Sequence, residues 1–174
     1  MNVATDFLSS AIRRFKECKA IGAKTLAQLT DTEMRWQPNN ATNSIAIIVQ
    51  HMHGNMLSRW TNFLIEDGEK SWRLRDTEFE AASLSKTELL DRWNEGWKVL
   101  FDALELLWEE DLLRTVTIRT KPLSVVDAIN RQLAHYSYHV GQIVFIGKWL
   151  KGEKWETLSI AKGQSKTFNE AMKS

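Results

Sequence analysis

Apolar residues recur at steps of three and four along four long segments of the chain, which is the spacing of one face of an α-helix. The segments between them are polar and contain both prolines. The pattern predicts helices over about Ala4–Leu29, from Ser44 to Asp67–Gly68, over Lys86–Glu110, and from Pro122–Ser124 to Lys151–Gly152. Four helices of this length predict an all-α fold, a four-helix bundle.

The connecting segments carry weaker signals. Residues 30–43 are a turn-rich connector, and residues 68–85 are a polar loop long enough to be the crossover of a bundle. Residues 115–119 alternate Thr-Val-Thr-Ile-Arg, which predicts a short extended segment before the last long helix. Residues 153–174 are predicted to be a tail with one helical turn after Ser165. The length of 174 residues suits a single domain over 1–174.

Composition and charge exclude several classes of protein. The net charge of +1 argues against nucleic-acid binding, which normally needs a basic stripe. No apolar run approaches the length of a membrane span, and the N-terminal residues do not resemble a signal segment. The single cysteine, Cys18, cannot form an internal disulfide and is predicted to be a buried apolar residue. We therefore expect a cytoplasmic protein, with most of its eight tryptophans in the core.

The four histidines fall in two tight groups, His51 with His53 and His135 with His139. His135 and His139 are four residues apart, so they lie on one face of a helix and could bind one metal ion. His51 is the natural third ligand. His53 lies about 200° further around the helix, which points it elsewhere. Three histidines with one vacant position are typical of a catalytic rather than a structural metal site.

Two other interpretations of the histidines remain open. His135 and His139 could be a hydrogen-bonded core pair or a partly exposed pair at the end of the bundle. His53 is predicted to be a surface residue. Residues expected to orient the ligands by hydrogen bonds are Asn55, Gln132 and Gln142. Residues expected to contact a substrate are Arg59, Trp72 and Arg75.

Three segments of the sequence are fairly specific: SIAIIVQHMHGNMLSRWTNFLIEDGEK, WRLRDTEF and AINRQLAHYSYHVGQIVFIGKWLKG. They resemble the DinB-like (YfiT-like) superfamily of metalloenzymes, and more narrowly a branch of small bacterial proteins of unassigned function. The likeness covers nearly the whole chain.

The resemblance implies an up-down-down-up four-helix bundle that is commonly a homodimer. It also implies a divalent metal, usually zinc or nickel, held by His51, His135 and His139, with no ligand role for His53. Characterised members of the superfamily include transferases and isomerases that use the low-molecular-weight thiols bacillithiol, mycothiol or glutathione. A thiol cofactor and a small-molecule substrate are therefore expected here.

The function that we predict is a metal-dependent enzyme that activates a thiol or water for attack on a small electrophilic molecule. One alternative is a metal-dependent hydrolase without a thiol cofactor, for which Glu95 or Asp102 could be the general base. Another is a non-catalytic bundle that binds metal or serves in a stress response.

Overall fold

The structure, a computed structural model, describes residues 2–80 and 83–173. Within these ranges the chain forms six α-helices, three short 3-10 helices and one two-stranded antiparallel sheet. The α-helices are α1 (Val3–Ala27), α2 (Asp31–Arg35), α3 (Ile45–Trp60), α4 (Lys86–Glu105), α5 (Val125–Lys151) and α6 (Ser165–Ala171). The strands are β1 (Thr115–Ile118) and β2 (Lys121–Ser124), and the 3-10 helices are Arg75–Phe79, Glu109–Leu113 and Gly152–Lys154.

Polar caps start the four long helices close to the predicted positions. The side chains of Asn2, Ser44, Ser85 and Ser124 each accept a hydrogen bond from a backbone N–H three residues further on, at 3.0–3.3 Å. Such caps satisfy donors that the first helical turn leaves unpaired. At the other end of α5, Gly152 adopts a φ of 53°, a conformation that glycine accepts without strain. The predicted all-α class is confirmed in its main feature, since most of the chain is helical.

Helix α3 ends at Trp60, whereas the apolar pattern predicted an end at Asp67–Gly68. The helix stops because Asn62 turns into the left-handed region, with a φ of 50°, which asparagine tolerates better than most residues. The following segment bends back to the sheet, where the Gly68 N–H donates to the carbonyl of Thr117 at 2.8 Å. Periodicity could not anticipate this competing contact.

Helix α4 ends at Glu105, five residues before the predicted end at Glu110. The apolar stripe continues in sequence to Trp108, but that side chain is 75% exposed. The Trp108 N–H donates to Asp111 Oδ2 at 2.9 Å, which starts a separate 3-10 helix. The exposed tryptophan therefore extended the apparent helical pattern beyond the end of the helix.

The predicted extended segment at 115–119 is confirmed as β1, which pairs with β2 in a hairpin. Arg119 and Thr120 form the two-residue turn, both with positive φ, the geometry that suits the strand twist. Pro122 lies in β2 and not at the start of a helix, in a register opposite Thr117. Proline is tolerated there because a two-stranded sheet consists of edge strands.

Asp67, in the segment that follows α3, holds this hairpin turn in place by hydrogen bonds. Its Oδ1 accepts from the N–H groups of Glu69 and Arg119, at 2.7 and 2.8 Å, and its Oδ2 accepts from the N–H of Thr120 at 2.8 Å. Burial alone would raise the pKa of Asp67, but these hydrogen bonds outweigh it and lower the pKa to about 2. The ionised carboxylate is thus favoured by the folded state.

We expect Asp67→Asn to lower the free energy of unfolding by about 1–2 kcal/mol at neutral pH, after allowance for solvent screening. The folded-state pKa of Asp67 lies below its unfolded value. The difference in unfolding free energy between wild type and variant should therefore have its full size above about pH 5 and shrink as the pH falls from about 4 towards 2. Urea titrations of wild type and variant at several pH values measure it. The matched control is Asp91→Asn, an exposed residue of α4, and equal effects at both positions would refute the assignment.

The core lies between the four long helices. Helix α3 packs against α4 and α5, and α1 packs against α5 and α4. At the centre, Phe15 contacts the rings of Trp60, Trp97 and Tyr136 at centroid distances of 6.1–6.4 Å, the first two edge to face. The two helices that carry the histidines, α3 and α5, are therefore held in a fixed relation.

Tryptophan is less concentrated in the core than we expected from the sequence. Trp60, Trp93 and Trp97 are buried, whereas four others are exposed by 37% to 75%. These four are Trp36, Trp72, Trp108 and Trp149. In the part of the chain that the structure describes, no helix is both long enough and apolar enough to cross a bilayer.

Candidate metal centre

Three histidines from two helices meet at one point. His51 comes from α3, and His135 and His139 come from successive turns of α5. His135 Nε2 lies 3.0 Å from His139 Nε2 and 3.4 Å from His51 Nε2. One ligand atom from each of the three residues falls within 4.8 Å of the other two, so the group could hold a metal ion.

Neighbouring acceptors assign the tautomers of two of these rings. Glu78 Oε2 lies 2.9 Å from His51 Nδ1, and Gln142 Oε1 lies 2.8 Å from His139 Nδ1. The Gln142 amide nitrogen donates to the Tyr138 hydroxyl at 3.1 Å, which leaves its oxygen facing the histidine. Each Nδ1 therefore donates, and each Nε2 is left with a lone pair.

As a result, the lone pairs of two rings point towards the third ring. The unprotonated Nε2 atoms of His51 and His139 both face His135 Nε2, which can donate a hydrogen to one of them at most. Burial lowers the pKa of His135 to about 3, and electrostatic repulsion from His139 and His51 adds to the effect. Burial also lowers the pKa of His139. Neutral imidazoles that point their lone pairs at a common position are what a metal ion requires.

A buried carboxylate that the sequence interpretation missed supports His51. Glu78 lies in the 3-10 helix of the long loop and is 7% exposed. Arg73 donates to it twice, from Nε to Oε1 at 2.7 Å and from Nη2 to Oε2 at 2.9 Å. Burial alone would raise the pKa of Glu78, but the hydrogen bonds from His51 and Arg73 lower it, so the group stays ionised.

The long loop is held against α3 by contacts on both sides of Glu78. Gln50 donates to the carbonyls of Thr77 and Glu78 at 3.0 and 3.2 Å. The Phe79 ring lies on His51 with a centroid distance of 4.7 Å. The segment at 68–85 thus contributes directly to the site, although residues 81 and 82 lie outside the described part.

Gly54 makes room for the carboxylate. A Cβ at this position would lie 2.3 Å from Glu78 Oε1 and 2.8 Å from its Cδ. Glu78 is fixed by two partners and cannot move away freely. Only glycine therefore allows the carboxylate to lie this close to α3 and still reach His51.

We expect Gly54→Ala to displace Glu78, to lower metal affinity about tenfold and to destabilise the fold by about 1–3 kcal/mol. Metal titration and thermal unfolding measure the two effects. The matched control is Gly141→Ala on α5, where a Cβ meets nothing within 4 Å and helix propensity should raise stability by up to about 1 kcal/mol. A Gly54→Ala protein with unchanged metal affinity would contradict the role given to Glu78.

The three residues predicted to orient the ligands have different surroundings. Gln142 contacts His139, as described above. Asn55 is buried, and its Oδ1 accepts a hydrogen bond from the Tyr136 hydroxyl at 3.0 Å. The same hydroxyl accepts a hydrogen bond from Trp60 Nε1 at 3.1 Å. Gln132 is buried beside the histidines, and its Oε1 has no hydrogen-bond partner. Of these three residues, only Gln142 makes a hydrogen bond to a ligand ring among the contacts that the structure describes.

The residues predicted to contact substrate line two different cavities. Arg59 and Arg75 line the cavity that His51 and His135 share. Trp72 lines a neighbouring cavity together with His53 and is 54% exposed. A role in substrate binding stays a prediction for all three, but the structure brings only the two arginines beside the histidines.

Other candidate residues lie away from this group. His53 Nε2 is 2.8 Å from Glu95 Oε2 on α4, so it points away from His51, as the helical period indicated. Asp102 is paired with Lys98 at 2.5 Å. Neither Glu95 nor Asp102 lines the cavity beside the histidines. Cys18 is buried, and burial raises the pKa of its thiol to about 11, which fits the predicted inert role.

Arg73, Glu78 and Gly54 are the site residues that sequence reasoning did not identify. Two of them lie in an irregular loop, where hydrophobic periodicity carries no information. The available signals were the segment WRLRDTEF, which contains Arg73 and Glu78, and a glycine inside an otherwise strong helix, which often marks a close approach.

Comparison with known proteins gives a family and no activity. No curated protein matches the chain. A family model described as "Protein of unknown function (DUF1572)" matches residues 2–164, which is nearly the whole sequence. The chain therefore belongs to the DUF1572 family.

Proposed function

We propose that His51, His135 and His139 bind one divalent metal ion, zinc or nickel, and that the protein is an enzyme that uses it. The observation that carries the proposal is the convergence of three Nε2 atoms, two of which are left with lone pairs by Glu78 and Gln142. Without a cation, His135 Nε2–H could satisfy one of these lone pairs, and the other would face it without a donor. A core pair of hydrogen-bonded histidines would not need the third ring or the buried carboxylate.

The spacing of the rings fits a small cation. Tetrahedral zinc with imidazole ligands at about 2.0–2.1 Å separates neighbouring nitrogens by about 3.3 Å. The separations of His135 Nε2 from His139 Nε2 and His51 Nε2, 3.0 and 3.4 Å, are close to this value. Glu78 and Gln142 supply the outer hydrogen bonds that bound histidines usually make.

A divalent ion bound there would lower the pKa of a thiol or water molecule and would stabilise the resulting anion. Three protein ligands leave a position for that group. The protein's own contribution is to orient the rings through Glu78 and Gln142 and to bind the substrate in the adjoining cavity. We propose attack of a thiol, or of water, on a small electrophilic molecule.

One feature of the cavity favours a thiol nucleophile over hydrolysis. A hydrolase needs a general base close to the attacking water. Among the described residues, none of those that line the cavity is an aspartate or glutamate. The carboxylate that contacts His51, Glu78, is already engaged by Arg73 and by that ring. A thiol that ionises on binding needs no such base.

The resemblance to the DinB-like superfamily supports the same function. We also propose from it that α1, α3, α4 and α5 form an up-down-down-up four-helix bundle and that the protein is a homodimer.

The proposed function is tested by incubating zinc- and nickel-loaded protein with electrophiles such as 1-chloro-2,4-dinitrobenzene in the presence of glutathione or bacillithiol. Parallel reactions contain ester and amide substrates without thiol. We expect thiol-dependent turnover that disappears with chelator and in His135→Ala. Turnover of esters alone would favour the hydrolase, and activity that survives metal removal would refute the mechanism.

A further inference from the structure

A cavity of about 210 Å³ lies directly beside the histidines, and its lining is rich in arginine. His51 and His135 form part of its wall, together with Asn55 and Gln132. The guanidinium groups around it come from α3, the long loop, the hairpin turn and α5. The five arginines are Arg59, Arg73, Arg75, Arg119 and Arg131.

The carboxylates nearby do not balance these positive charges. Glu69 pairs with Arg59, Arg73 and Arg119 at 3.0–3.9 Å. Glu78 pairs with Arg73, and the exposed Asp76 lies 3.8 Å from Arg75. In the described chain, the side chains of the five arginines form ion pairs with only three carboxylates, and Arg131 forms none. The whole chain carries a net charge of only +1, so the positive charge is concentrated here.

Two of these arginines are buried and incompletely paired. The Arg73 and Arg59 side chains are 2% and 7% exposed. Within residues 2–80 and 83–173, Arg73 Nη1 and Arg59 Nε have no hydrogen-bond partner, and neither does Oε1 of Gln132, which lines the same cavity. Buried polar atoms in folded proteins are almost always paired, so unpaired ones in residues that line a cavity point to a bound water molecule, ion or ligand close by. Guanidinium donors match carboxylate and phosphate oxygens.

We propose that this cavity binds the anionic group of the substrate, a carboxylate, phosphate or sulfonate, immediately next to the three histidines. The volume corresponds to about seven water molecules at about 30 Å³ each, which admits an anionic group with a few carbon atoms. The position of the group relative to the reacting atoms rests on the proposed function. Binding of the anion by the arginines does not, since it needs no metal.

The proposal is tested on the full-length protein after metal removal with chelator and desalting. Calorimetric titrations with inorganic phosphate, acetate and methanesulfonate measure which anion binds. We expect saturable binding of at least one, weakened about tenfold by Arg75→Gln or Arg131→Gln, since each removes one charge-assisted interaction at an exposed position. Arg13→Gln on α1 removes the same charge outside the cavity and should change the dissociation constant less than about twofold.

Three results would overturn the proposal. The first is no saturable binding of any of the three anions, and the second is equal weakening by Arg13→Gln, which would indicate a general charge effect. The third is binding that appears only in metal-loaded protein and disappears in His135→Ala, since the anion would then be a metal ligand. Zinc titration of the same preparation separates the two proposals: anion binding without metal binding would refute the proposed function and leave this inference intact.

Discussion

Replacement of His135 by alanine is expected to abolish metal binding. His135 Nε2 lies within 3.4 Å of the Nε2 atoms of both other rings, so its loss removes one of three converging nitrogens. Apparent affinities of protein zinc sites correspond to about 10–16 kcal/mol, and loss of one of three ligands should weaken binding at least about a hundredfold. Elemental analysis after zinc loading and desalting should find about one ion per wild-type chain and less than about a tenth of that in the variant.

The control for this prediction is His53→Ala. His53 is only two residues from His51, but it contacts Glu95 on α4 and not the group of three. It should keep the wild-type metal content. Thermal unfolding of the metal-free proteins shows whether His135→Ala still folds, which we expect because burial keeps this imidazole neutral and no ion pair is lost. Equal metal content in both variants would mean that the ion lies elsewhere.

The second large effect is expected from Glu78→Gln. The substitution keeps the shape of the side chain but removes the charge that faces Arg73, a side chain only 2% exposed. Breaking a buried ion pair typically costs about 3–5 kcal/mol, and we expect the lower end of this range because Glu69 Oε2 remains 3.9 Å from Arg73 Nη1. The hydrogen bond to His51 also weakens, so metal affinity should fall about 10- to 100-fold. Chemical unfolding and zinc titration measure the two effects separately.

A double variant separates stability from metal binding. Arg73→Met combined with Glu78→Gln removes both charges, and buried pairs replaced in this way often lose little stability. We expect at least half of the lost unfolding free energy to return, while zinc affinity stays low because His51 still lacks its carboxylate partner. If the double variant binds zinc like the wild type, Glu78 stabilises the loop and does not act on the metal site.

The long helices could be predicted because each carries an apolar stripe that repeats over many turns and a serine or asparagine that caps its first turn. Their C-terminal ends could not be predicted from the same pattern. Helix α3 ends at Trp60, and the chain after it turns back so that the Gly68 N–H donates to Thr117 of the hairpin. Helix α4 ends at Glu105, although the exposed Trp108 continues its apolar stripe in sequence. The first ending involves a contact between residues distant in sequence, and the second a local hydrogen bond from Trp108 to Asp111 that an apolar pattern does not reveal.

The candidate site, too, could be predicted only in part from the sequence. Helical spacing predicted that His135 and His139 share one face of α5 and that His53 points away from His51, whereas the choice of His51 as third ligand was a hypothesis that the family resemblance also implied. Glu78 is 27 residues from His51 along the chain, and only the fold of the long loop places its carboxylate 2.9 Å from the ring. Gly54 inside a strong helix signals a close approach, but the sequence does not show that Glu78 is the group that approaches.

X-ray absorption spectroscopy of the zinc-loaded protein tests the central claim most directly. Three imidazole ligands should appear as nitrogen scatterers at about 2.0–2.1 Å with the outer-shell pattern of the rings, and this signal should be unchanged in His53→Ala. Sulfur scattering at about 2.3 Å, which would require Cys18, or a shell of oxygen atoms without imidazole, would contradict a metal centre built from His51, His135 and His139.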